Sequence, residues 1–129
     1  MIRLALSWSL AAIVCLSVPV TGRNPDGPSP GERAYQRCYA CHALSSDTIG
    51  ADGPHLGGIV GRRVASVPGY RYSAAITAYA TDKPVWTRER LDAFLADPEG
   101  TVPGNAMGFF GMGDQKERAA LIAWLERQP

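Results

Sequence analysis

The sequence predicts an all-α fold with long irregular loops, and three observations carry that prediction. Apolar residues recur at helical spacing at Leu91, Phe94 and Leu95, and again at Leu121, Ile122, Trp124 and Leu125, with no strand-like alternation anywhere. The helical stretches follow a Ser, Thr or Asp that can cap them. Between them run Gly- and Pro-rich segments, "GADGPHLGGIVGRR" and "PEGTVPGNAMGFFGMG", unusually long and apolar for the connections of a small domain. Such a chain wraps around something other than itself.

The elements follow in order. Residues 1–22 carry one positive charge at Arg3, no acid, and an apolar run from Leu4 to Val20. This reads as a signal peptide cut after Gly22. An uncleaved membrane anchor is the alternative, disfavoured because Ser7, Ser9 and Ser17 dilute a run already short for a span. Lipidation at Cys15 is disfavoured by Val14 before it. Residues 23–29 form a Pro/Gly-rich linker, and residues 30–129 form one domain.

Ser29 is placed to cap a first helix, with Pro30 at its first position, Glu32 completing a capping box and Tyr35 facing inward on the way to Cys38. Ser45 to Pro68 reads as loop. Ser73 caps a brief helix through "AAITAYA", and "TDKP" forms a second loop. Thr87 caps the third helix, which Asp97-Pro98 stops. Asp114 and Glu117 open the last one. There is no internal repeat and no low-complexity block.

Losing the leader removes Arg3, so the net charge of +1 falls to neutral. No basic stripe marks a nucleic-acid surface. A domain this small often depends on a disulfide, a metal or a cofactor, which directs attention to "RCYACHAL" and its two remaining cysteines. Three chemistries compete for Cys38, Cys41 and His42. Zinc needs four ligands, and the adjacent Cys41–His42 pair with only His55 besides closes a tetrahedron poorly. A thioredoxin-like dithiol needs a βαβ setting, and no strand is evident. C-x-x-C-H is also the attachment motif for a covalent haem, which agrees with export and with helices joined by long loops. That reading is preferred, with the histidine reaching the iron from one side. Opposite it, Met107, Met112 and His55 are candidates. A methionine would close the site and raise the potential, and at least one of the two is core filler. The pattern leans to Met107, because Met112 directly precedes the cap of the last helix. His55 is disfavoured by its closeness to His42.

The chain resembles the class I cytochromes c, in particular the mitochondrial and bacterial c2-type branch. The resemblance rests on "GERAYQRCYACH", "GPHLGGIVGRR", "PGYRYSAA", "WTRERLDAFLADP", "VPGNAMGFFGM" and "ERAALIAWLER", in the family's order and near its spacing from Gly31 to Leu125. It implies the class I cytochrome c fold around one covalently attached haem c. Cys38 and Cys41 would carry the thioethers, with His42 and Met107 as axial ligands. The Pro54 carbonyl would orient His42, and Arg62, Tyr72 and Trp86 would bond the haem propionates. Gly31 would let the first and last helices cross closely.

There are departures. Phe94 stands where the family often has a tyrosine, Ile76 where it often has asparagine, and Asn105 where it often has threonine, which thins the polar network on the methionine side of the haem pocket. The stretch from Ile76 to Val85 is about three residues longer than the mitochondrial form. Lys83 and Lys116 are the only lysines, so steering by charge is weak.

The resemblance implies a periplasmic electron carrier that is not an enzyme. Its partners would be redox proteins, donors and acceptors in respiratory or dehydrogenase complexes. It would take no nucleic acid and no small-molecule substrate, and would touch a membrane only through an uncleaved leader. Alternatives are a haem subunit bound to a periplasmic dehydrogenase or sulfur-oxidising enzyme and, third, a ligand-binding or peroxidatic haem protein.

Overall fold

Among the described residues, five short helices, α1 Pro30–Tyr35, α2 Ala74–Asp82, α3 Arg88–Ala96, α4 Pro98–Thr101 and α5 Gln115–Leu125, are strung on long loops. The structure is a computed structural model and describes residues 26–47 and 52–129. The leader and residues 23–25 of the linker lie outside the described residues. Among these residues the only β pairing is a single antiparallel bridge between Arg63 and Val85.

Each helix starts where its capping residue stands. The side-chain oxygens of Ser29, Ser73 and Thr87 accept the N–H of Glu32, Ile76 and Arg90, and Asp114 accepts those of Lys116 and Glu117. The Ser29 cap is one-sided: Glu32 donates its backbone N–H to Ser29, and its side chain is not seen to answer. α1 is shorter than expected, ending at Tyr35, and turns continue the chain through the cysteine pair. α2 runs two residues beyond "AAITAYA" into the segment expected to be loop, and none of its residues is fully buried.

α3 ends before Pro98 as expected, but the same Asp97 starts another turn of helix. Its Oδ1 accepts the Gly100 N–H at 2.9 Å, and Pro98 occupies the first position, where a missing N–H costs nothing. α4 is that turn, and it redirects the chain into the methionine-bearing loop.

α1 and α5 make the most extensive helix–helix contact, and α5 also packs on α3. Leu121, Ile122 and Leu125 are buried, with Ala34 and Tyr35 across from them. Trp124 is only half-buried, and its ring lies 5.0 Å from that of Tyr35. The crossing is close because residue 31 is glycine. A Cβ there would fall within 3.0 Å of both the Trp124 Cβ and the Ala120 carbonyl oxygen. Gly31→Ala is therefore expected to destabilise the protein by about 1–3 kcal/mol, seen as a lower denaturant midpoint at unchanged slope. An unshifted midpoint would mean that the helices have room to separate.

One charged residue lies in the apolar interface. Arg118 is 8% exposed. Its Nε donates to Asp92 Oδ1 on α3 at 2.7 Å, and its Nη1 donates to the carbonyls of Met112 at 2.8 Å and Gly113 at 3.1 Å. The guanidinium thus joins α3, α5 and the end of the methionine-bearing loop, and its buried donors are satisfied. An exposed pair, Arg88 with Glu126, ties α3 to the end of α5 on the outside, where such contacts contribute little.

Candidate functional site

The cysteine motif leaves α1 as a run of overlapping turns. Cys38 N–H bonds to the Tyr35 carbonyl at 2.8 Å, and the N–H groups of Cys41 and His42 both return to the Cys38 carbonyl, at 3.0 and 2.8 Å. The winding turns Cys38 toward the core, where it is half-buried, and leaves Cys41 exposed; neither forms a disulfide. Burial pushes the Cys38 thiol up to about 11, with Arg37 opposing and Cys41 adding to the shift. The Tyr35 hydroxyl donates to the His42 carbonyl at 2.6 Å, so α1 holds the motif at both ends.

His42 is fixed through its ring. Its Nδ1 lies 2.7 Å from the Pro54 carbonyl oxygen. A carbonyl only accepts, so Nδ1 carries the proton and the lone pair is left on Nε2. The ring lies against the backbone of Gly53, where a Cβ would come within 3.0 Å of three ring atoms. Gly53 is itself anchored by donating its N–H to the Cys41 carbonyl at 2.7 Å.

The loop after α4 carries two methionines in different settings. Met112 is 0% exposed, part of the core, with its N–H on the Leu95 carbonyl at 2.8 Å. Met107 is half-buried against the core edge. Asn105 lies between α4 and Met107. Its Nδ2 donates to the Pro98 and Val102 carbonyls, both at 3.1 Å, and its Oδ1 accepts the Met107 N–H at 3.0 Å.

Trp86 is buried, stacked 5.7 Å from Tyr79 and tilted 5.3 Å from Phe94. Arg62 is joined to it through the backbone, Trp86 N–H bonding to the Arg62 carbonyl at 2.9 Å. The Arg62 guanidinium is half-buried and donates to the carbonyls of His55 at 2.7 Å and Gly57 at 3.0 Å. Burial lowers its pKa from the usual value, partly offset by Tyr72. The Tyr72 hydroxyl accepts the Val67 N–H at 3.2 Å.

The structure therefore brings His42 together with Pro54, Trp86 with Phe94, and Arg62 with both Trp86 and Tyr72. The polar atoms of Asn105 serve its own loop and α4. His55 is engaged by Arg62, its Nδ1 3.3 Å from Nη1. No group of three or more His, Cys, Asp or Glu side chains that could hold a metal ion occurs among the described residues, so the zinc alternative lacks its donor set. Sequence reasoning missed the Arg118–Asp92 clasp and the Tyr35 hydroxyl bond. Arg118 was detectable, since it occupies the same helical stripe as Leu121, Ile122 and Leu125.

These residues fit a covalently held haem. Two free thiols are separated by two residues, and the next residue is an imidazole whose Nδ1 is already committed. A half-buried thioether lies on a separate loop. Fold and site together define a c-type haem protein.

Comparison with known proteins agrees. The family model for cytochrome c matches residues 28–128. A cytochrome c2 of Agrobacterium tumefaciens is 40% identical over 95 residues, covering 74% of this chain and 86% of that protein. The cytochrome c-type cyt cy of Rhodobacter capsulatus is 39% identical over 104 residues, covering 81% of this chain but only 50% of its own longer length. Among solved structures, cytochrome cH from Methylobacterium extorquens superposes with a TM-score of 0.67 at 34% identity, covering 79% of this chain and all of that one. The chain belongs to the cytochrome c family, with its all-α fold, one covalent haem c and the role of electron carrier.

Proposed function

We propose that Cys38 and Cys41 hold the haem through thioethers and that His42 and Met107 are its axial ligands, making the chain a closed-site electron carrier and not an enzyme. The observation that carries this is the 2.7 Å contact of His42 Nδ1 with the Pro54 carbonyl. It presets the tautomer, leaves Nε2 as the donor atom and makes that nitrogen a better ligand. When bound, the haem supplies a one-electron couple between ferric and ferrous iron. The protein's residues keep it in place. Trp86, Arg62 and Tyr72 offer donors for the haem carboxylates, whose burial without partners would be costly. Phe94 backs Trp86. A thioether opposite an imidazole favours electron transfer over binding of outside ligands.

The partners on this reading are redox proteins. Phe110 is wholly exposed at 103%, and Tyr39, between the two cysteines, is 61% exposed. With a chain nearly neutral overall, these favour partners met through apolar contact over partners steered by charge. That also supports the second reading, a haem subunit held by a larger periplasmic dehydrogenase or sulfur-oxidising enzyme, which co-purification with such a protein would reveal. Export rests on the leader; among the described residues no helix is long and apolar enough to cross a membrane.

The test is the visible spectrum of the oxidised protein at neutral pH. A far-red charge-transfer band reporting a sulfur–iron bond is expected. Its absence would overturn the closed-site reading and favour a ligand-binding or peroxidatic haem protein.

A further inference from the structure

We infer that Asn105 is the positioning residue for Met107, linking it to the helical scaffold. This rests on the reading of Met107 as an iron ligand. The loop from Val102 to Gly113 is held at its two ends by side chains. At the far end, Arg118 binds the Met112 and Gly113 carbonyls and is locked in turn by Asp92. At the near end, Asn105 uses its whole amide. Both donor hydrogens serve carbonyls of α4 and the residue after it, and the oxygen receives the Met107 N–H. Glu99 supports the same corner by accepting the Gly104 N–H at 3.0 Å.

Between these clasps the loop has little internal structure. Among the described residues, the hydrogen bonds made by residues 106–111 are that Met107 N–H to Asn105 and the Phe109 N–H to the Met107 carbonyl at 2.8 Å. Gly108 has nothing within 4 Å of a built Cβ, so no packing fixes the chain there either. Besides the packing of Met107 and Phe109 on the core and of Gly111 on Ala96 and Pro98, the Met107 N–H is tied to the scaffold through one amide side chain. Asparagine suits this because it presents donor and acceptor together on a short stem. An alanine there would leave the methionine in the loop with its backbone free to drift, and a thioether is a weak ligand that needs to be presented.

The experiment is an imidazole titration of the oxidised holoprotein, followed by loss of the far-red band, for the parent, Asn105→Ala and Ser29→Ala. Removing the Asn105 clasp is expected to lower the imidazole concentration at half-loss about tenfold, the scale of one or two hydrogen bonds. Ser29→Ala removes a helix cap remote from the loop and lowers thermal stability, yet should leave the imidazole midpoint unchanged. An unshifted midpoint in Asn105→Ala overturns the inference, and so does an equal shift in Ser29→Ala, which would mark a general loss of stability. If the parent has no far-red band, the ligand reading fails and this inference falls with it; a banded parent with unshifted variants removes the inference alone.

Discussion

Met107→Ala is expected to abolish the far-red band of the oxidised protein, open the iron to added imidazole, and lower the reduction potential. The fall should exceed about 59 mV, which is one decade in the relative affinity for the two oxidation states of a one-electron couple. The sign follows from the ligand, since a histidine–methionine pair raises the potential. Met112 cannot take its place. It is fully buried, with its N–H on Leu95 and its carbonyl on Arg118, so moving it to the iron would empty a core position. Met112→Ala should do the opposite of Met107→Ala. It should cost about 2–5 kcal/mol of stability as a large-to-small core change while the band survives. A band retained in Met107→Ala and lost in Met112→Ala would reverse the assignment.

Substituting both Cys38 and Cys41 by alanine should have the largest effect on the fold. The longest helix among the described residues, α5, has 11 residues and α1 has 6, below the roughly 12–15 at which isolated helices become even marginally stable in water. α2 contributes no fully buried residue. Helices this short hold only through what they pack against, and the long loops between them offer no ladder of backbone bonds. The double variant is expected to lose its haem in a denaturing gel and most of its far-UV helical signal in the absence of added haem. Cys41→Ala alone should keep one thioether and an intermediate signal. A double variant with full helical content and no bound haem would show that the polypeptide folds by itself.

Much of this was readable in the sequence wherever local chemistry decided the outcome. The caps at Ser29, Ser73, Thr87 and Asp114 work through side chains three residues or fewer from the groups they satisfy, so spacing alone located the helix starts. The C-x-x-C-H motif is equally local. Pro54 came only through resemblance, because a carbonyl twelve residues from its partner leaves no trace in composition. Other features depended on tertiary placement. Asp97 stops one helix and begins another, and a proline read as a terminator proved also to be a first residue. The burial of Arg118 depends on the opposing Asp92 and two loop carbonyls, which no local pattern announces. Asn105 stood in a position matched to the haem pocket, whereas its amide is consumed by the loop that carries Met107. Trp124 fell on the buried stripe of α5 yet remains half-exposed, lying at the edge of the crossing with α1.

The crossing of α1 and α5 has a topological consequence. His42 follows α1 by a few residues and Met107 precedes α5 by a few, so the proposed iron ligands join the same two stretches of chain that the helix pair joins. Residues 43–106 thus form a single closed circuit fastened twice at its neck. The entropy of closing so long a loop is shared by both fastenings, so each makes the other easier to form. Breaking the helix pair outright should weaken the hold on the methionine, and detaching the methionine should loosen the helix pair; removal of a single cap, as in Ser29→Ala, leaves the pair formed. A chain cut once within the circuit would still have its two pieces held at the neck. On this assignment, the integrity of the redox site and the meeting of α1 and α5 form one cooperative event.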